Sequence, residues 1–124
     1  MTPFGEAVRK LRAERGITQK EMAAELGVSA AYLSALEHGQ RSEPSWQLVQ
    51  RIIGFFNIIW DEAEELQRLA ALSRPKIVID ARALTPRAAI LANRLAEVYP
   101  DLGEDELSEI EALLDAKSGE PSGR

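Results

Sequence analysis

Only Gly27 and Val28 separate two short helical segments in the stretch from Thr18 to Gly39, TQKEMAAELGVSAAYLSALEHG, and that brevity dictates how the segments are arranged. Thr18-Gln19-Lys20-Glu21 is a capping box: the Thr18 hydroxyl can accept from the Glu21 N–H while the Glu21 carboxylate reaches back to the Thr18 N–H. Met22, Ala23 and Leu26 then fall on one helical face. Gly27 stops the helix, because glycine enters the left-handed conformation without steric cost. Ser29 caps the next helix, whose inward face is Tyr32, Leu33 and Leu36, and Gly39 closes it. Two capped helices this close together cannot lie antiparallel. They cross steeply, which leaves the start of the second helix free to enter a groove.

The flanking segments supply further helices. Thr2-Pro3 starts the first, with threonine as cap and proline where its missing N–H costs nothing. Phe4, Ala7, Val8 and Leu11 follow helical spacing, and Gly16 ends that helix. Gln40 to Pro44 is a loop, after which Ser45 caps a helix with Leu48, Val49, Ile52 and Ile53 inward. Trp60-Asp61 begins a fifth helix that runs to about Leu72. Ser73-Arg74-Pro75 breaks the pattern and marks a boundary. Lys76-Ile77-Val78-Ile79-Asp80 is β-branched, short and bounded by charge, which predicts a strand. A lone strand is not stable in water, so this reading pairs it with the same strand of a second copy. Thr85-Pro86 opens a helix with Ile90, Leu91, Leu95 and Val98 as its apolar face, and Tyr99-Pro100 ends it. A final helix follows Asp101–Glu104, with Leu107, Ile110, Leu113 and Leu114 inward. Residues 118–124 read as a disordered polar tail.

Composition narrows the function. The 124 residues include no cysteine and one histidine, His38. Disulfides and thiolate metal sites are thereby excluded, and a histidine metal site or a catalytic triad is not expected. No apolar run approaches the roughly 20 residues that span a membrane, and no signal segment opens the chain, so the expected location is the cytoplasm. Residues 1–57 carry seven basic and six acidic side chains, a net +1, whereas residues 58–124 carry eight and fourteen, a net −6. The front half thus suits modest electrostatic attraction to nucleic acid, and the acidic back half suits protein contact. The carboxylate clusters Asp61-Glu62-Glu64-Glu65 and Glu104-Asp105-Glu106-Glu109-Glu111 sit in first turns of helices. Acidic side chains there favour the dipole, so they read as capping and solubility features rather than as metal ligands.

From about Phe4 to Trp60 the chain resembles the Xre family, the helix-turn-helix class of lambdoid phage repressors and Cro proteins. LRAERGITQKEMAAELGVS, AYLSALEHGQRSEPS and LVQRIIGFFNI carry the resemblance, with the Thr-Gln start, the glycines, the Val-Ser turn and the Leu-Glu-x-Gly end at the family spacing. The resemblance implies an all-α fold with a five-helix lambda-repressor-like domain, residues 1–73. Residues 74–117, the strand and two helices, would form the dimerisation or interaction region. It implies that Ser29, Ala30, Ala31, Tyr32 and Ser34 face the major groove, that Thr18, Gln19 and Lys20 anchor phosphate, and that Gln40 and Arg41 follow the DNA backbone. Arg12 and Glu37 are implied to pair between the first helix and the end of the recognition helix. Ala30, Ala31 and Ala35 stand where relatives often carry hydrogen-bonding side chains. Alanine reads no base edge by hydrogen bond, although its methyl can touch a thymine methyl.

The expected function is a sequence-specific DNA-binding transcription regulator without catalytic residues, metal or cofactor. It would be a homodimeric repressor on an inverted-repeat operator, associated with the nucleoid. The expected dimer interface is Ile77, Val78, Ile79, Leu91, Leu95, Leu107, Ile110 and Leu114. Two other readings keep the DNA-binding half. One is an autoregulating antitoxin that masks a basic toxin with its acidic half, and the other is an adaptor that recruits a second protein.

Overall fold

The computed structural model describes residues 1–40 and 43–119. Its contacts divide the chain into two units, Met1–Ile77 and Val78–Arg124. Among the described residues the secondary structure is entirely helical.

The first unit holds α1 (Pro3–Arg15), α2 (Gln19–Leu26), α3 (Ala30–Glu37), α4 (Trp46–Phe56) and α5 (Trp60–Ala71). Local chemistry sets most of these boundaries. Hydroxyl caps open four of the five helices: Thr2, Thr18, Ser29 and Ser45 each accept from a backbone N–H three residues on, which satisfies one of the orphan donors of the first turn. The capping box at Thr18 is complete, with Glu21 N–H donating to Thr18 Oγ1 at 3.0 Å and Thr18 N–H to Glu21 Oε1 at 3.2 Å. Thr18→Ala should therefore cost about 1 kcal/mol, read as a lower urea midpoint with an unchanged slope. Gly16 and Gly27 end α1 and α2 at φ +64° and +71°. Asn57 takes the same role for α4 at φ +55°, a region that asparagine tolerates better than most side chains. α5 has no side-chain cap, and Asp61 and Glu62 in its first turn complement its dipole instead.

One core joins all five helices. Phe4 and Val8 from α1, Met22 from α2, Leu33 from α3 and Ile52 from α4 are the most deeply buried. Leu66 and Ala70 close the core from α5. The inward faces read from spacing are these residues, with Ala7, Leu11, Tyr32 and Ile53 half-buried at the margin. Burying one side chain of this size contributes about 1.5–3 kcal/mol, so the short helix α3 is held in place by the packing of Leu33 and Leu36 rather than by the intrinsic stability of an eight-residue helix.

The second unit holds a 3-10 turn at Ala81–Ala83, α6 (Pro86–Val98), a 3-10 turn at Tyr99–Asp101 and α7 (Glu104–Ser118). Thr85 caps α6, accepting from Ala88 N–H at 3.2 Å, and Pro86 occupies the first turn. The expected strand at Lys76–Asp80 does not form: the segment is irregular, with Ile77 83% and Val78 84% exposed. A strand exists through hydrogen bonds to a neighbour, and the described residues of this chain hold no second strand to supply them. Its β-branched composition alone cannot make a ladder. Ser118, the first residue of the expected tail, is the last residue of α7, and Gly119 caps it at φ +78°. The rest of that tail, Glu120–Arg124, lies outside the described residues.

Candidate nucleic-acid interface

The centre of the site is a buried carboxylate. Glu37 ends α3 and is 1% exposed, while Arg12 on α1 is 8% exposed. Nη2 of Arg12 donates to both carboxylate oxygens, at 2.9 and 3.0 Å. Gln19, the first residue of α2, donates from Nε2 to Glu37 Oε1 at 3.0 Å. Burial pushes the Glu37 carboxyl above its ordinary range, and Arg12 foremost, then Gln19, His38 and Arg9, pull it back. The backbone of Glu37 is also used: its carbonyl accepts from Thr2 N–H at 3.0 Å and from Thr2 Oγ1 at 3.2 Å. One residue thus fastens α1, the start of α2 and the end of α3 together.

That junction determines what α3 can present. Ser29 Oγ accepts from Tyr32 N–H at 3.0 Å, which caps the helix, and Leu33 and Leu36 sink into the core. Ser29, Ala30 and Ala31 are left exposed in the first turn, and Tyr32, Ser34 and Ala35 are half-buried. Thr18 and Lys20 are exposed at the start of α2, beside the end of α3 because Gln19 bonds Glu37. The exposed first turns of α2 and α3 offer the N–H groups that their single hydroxyl caps leave over, and the small side chains of α3 let its backbone approach a phosphate or a base edge. Gln40 is exposed after α3, and Arg41 lies outside the described residues. Arg51 does not join this surface, since its Nη2 donates to the Leu26 carbonyl at the end of α2. His38 Nδ1 donates to the Ser34 carbonyl at 2.8 Å.

Two supports of the site were not read from the sequence. Gly5 packs so closely on the end of α3 that a Cβ there would stand 2.1 Å from the Glu37 carbonyl oxygen. A glycine inside the first turn of a good amphipathic helix was the available signal. Ser73 is buried, accepts from Phe4 N–H at 3.0 Å and donates to the Leu69 carbonyl, which ties the end of α5 to the start of α1.

The expected interface residues of the back half differ in their surroundings. Ile77, Val78, Ile79, Leu91, Leu95 and Leu114 are exposed, whereas Leu107 and Ile110 are half-buried. Among the described residues no group of three or more His, Asp or Glu is placed to hold a metal ion. No helix among them is long and apolar enough to cross a membrane.

The helix-turn-helix family profile matches residues 8–61. Three curated proteins of Bacillus subtilis (strain 168) are similar to this part of the chain. The HTH-type transcriptional repressor RghR is 40% identical over 52 residues, which is 42% of this chain and 38% of the relative. The uncharacterized HTH-type transcriptional regulator RghRB is 30% identical over 61 residues, 49% of this chain and 44% of the relative. The HTH-type transcriptional regulator SinR is 27% identical over 68 residues, 52% of this chain and 61% of the relative. The chain therefore spans about half the length of the curated relatives it matches. No solved structure matches it at comparable stringency.

Proposed function

We propose that residues 8–61, which the helix-turn-helix profile matches, form an Xre-like DNA-binding domain, and that the chain is a transcription repressor that binds an inverted-repeat operator as a homodimer. The observation that carries this reading is the junction at Glu37, which fixes α3 with its first turn, Ser29 to Ala31, bare and exposed. A recognition helix needs this arrangement: rigid support behind and short side chains in front. One α3 from each copy enters successive major-groove turns, which sets the half-sites about 34 Å apart or at a multiple of that. Repression rests on the relative RghR, which is named a repressor, and follows from promoter occlusion. On this reading the protein acts by binding alone, in the cytoplasm on the chromosome. The exposed acidic side chains of α7 also suit a basic protein partner, the ground for the antitoxin and adaptor readings.

Thr18 and Gln19 at the start of α2 and Arg41 after α3 position the backbone, with Lys20 beside them, while Ser29, Ala30, Ala31, Tyr32 and Ser34 meet the bases. Gln40 follows the phosphates. With +1 over residues 1–57, electrostatic attraction is weak and binding should depend only moderately on salt. In vitro selection from a random duplex library tests the reading. An enriched near-palindrome supports it, and no enrichment at low salt overturns it. On the selected duplex, Arg41→Ala should weaken binding similarly for all sequences and lower the salt slope by about 1 per half-site. An unchanged slope removes Arg41 from the phosphates.

A further inference from the structure

The second unit has no core of its own. No described residue from Val78 to Gly119 is buried. α6 touches the two 3-10 turns beside it, but α6 and α7 do not pack along each other's length. Ile90, Leu91, Leu95 and Val98 on α6, and Leu113 and Leu114 on α7, stay exposed, the last two at 69% and 60%. These six side chains lie on two separate helices and leave an apolar face bare on each. Exposed apolar faces of this kind mark a surface that a partner covers.

Charge identifies the cover. α6 carries Arg87 and Arg94 against Glu97, a net +1, whereas α7 carries six acidic side chains against Lys117, a net −5. Arg87 and Arg94 are seven residues apart, so both lie along one edge of the Leu91–Leu95–Val98 stripe. Glu104 and Glu111 are also seven apart, along one edge of the Leu107–Ile110–Leu114 stripe. Among the described residues none of these four has an ion-pair partner within the chain. Two helices with apolar stripes flanked by opposite charges at a seven-residue repeat are built to pair. Within their own chain the two helices make at most a slight contact.

We propose that a second copy of this chain completes the unit, with α6 of each copy lying on α7 of the other in an intermolecular four-helix core, Arg87 and Arg94 facing the partner's Glu104 and Glu111. The proposal rests on the homodimer reading above and supplies its interface. A two-fold axis relates the two α6–α7 contacts, so each copy gives and receives the same surface. Pairing α6 with α6 or α7 with α7 would instead set like charges together.

Sedimentation of the full chain tests this with two double variants, Arg87→Glu with Arg94→Glu and Glu104→Lys with Glu111→Lys. The wild type should be dimeric at micromolar concentration. Each double variant alone should be monomeric, with a dissociation constant raised at least tenfold, because both contacts then juxtapose like charges. Mixing the two should restore a dimer that holds one of each, because both of its contacts again pair opposite charges. Retention of the wild-type melting transition of the first unit controls for misfolding. A wild type that stays monomeric at 100 μM overturns the homodimer reading and the pairing together. A wild-type dimer that either double variant leaves intact, or that mixing fails to restore, overturns the pairing alone. Selection of a half-site without a repeat by a dimeric wild type would count against the operator reading and leave the pairing standing.

Discussion

Arg12→Ala is expected to destabilise the first unit by about 3–5 kcal/mol, because it strands a buried carboxylate. Glu37 is 1% exposed and takes both of its hydrogen bonds from Arg12 through a single nitrogen, Nη2. Gln19 alone cannot compensate the charge. The pH dependence follows from the raised Glu37 pKa. Between the ordinary value of 4.5 and that raised value the native state binds more protons than the unfolded chain. The contribution of this group is thus fully present below 4.5 and is lost as pH rises through the native value. Removing Arg12 takes away the largest opposing influence and raises the native value further. The penalty of Arg12→Ala should accordingly be larger at pH 8 than at pH 5, where Glu37 can neutralise itself. Urea denaturation at both pH values measures it, and equal penalties would mean that the carboxylate is not the stranded group. Arg12→Met with Glu37→Leu should recover much of the loss, since no buried charge remains. The same cycle separates folding from recognition. At a temperature where Arg12→Ala is still folded, weaker operator binding reports the misplaced start of α2.

What the sequence made legible was local. Thr2, Thr18, Ser29 and Ser45 cap helices because the partner of a cap lies three residues away and can be counted. The spacing of Phe4 and Val8, of Leu33 and Leu36, and of Leu48 and Ile52 gave the core face for the same reason. Apart from the Arg12–Glu37 pair, which the family resemblance implied, contacts across many residues were not legible. Gln19 lies in a capping box that fully explains its neighbours, and its bond to Glu37, 18 residues on, leaves no local trace. Ser73 looked like part of a chain break, yet its hydroxyl bonds Phe4, 69 residues earlier. The strand at Lys76–Asp80 failed because β propensity describes fit to a sheet, and no sheet is present among the described residues. The apolar stripes of α6 and α7 were visible as stripes, but periodicity says only that a face is apolar. It does not say that the face is buried within its own chain: here the α6 face is exposed, and on α7 Leu107 and Ile110 are only half-buried while Leu113 and Leu114 are exposed.

Gly5→Ala should be as damaging as the loss of Arg12, although it adds one methyl group. The new Cβ would meet the Glu37 carbonyl oxygen at 2.1 Å, its carbon at 2.7 Å and its Cα at 2.8 Å. All three are backbone atoms at the end of α3, so no side chain can turn aside. The first turn of α1 would have to move outward. Thr2 would then lose its hydrogen bonds to the Glu37 carbonyl, Phe4 N–H would leave Ser73 Oγ, and the fully buried Phe4 ring would be levered from the core. Overpacking ordinarily costs about 1–3 kcal/mol, and this clash combined with lost buried hydrogen bonds should reach about 3 kcal/mol or more. The intrinsic gain in helix propensity from glycine to alanine, about 1 kcal/mol, works the other way and makes the test sharp. A thermal melt decides the sign. If propensity wins and the melting temperature rises, α1 can slide without disturbing α3. If it falls by about 10 °C or more, as expected for a domain of this size, the close approach at Gly5 fixes the recognition helix from behind. Gly16→Ala is the control. No atom lies within 4 Å of its Cβ position, so its cost should be limited to the strain of a left-handed φ of +64°, about 1–2 kcal/mol, with no loss of operator affinity.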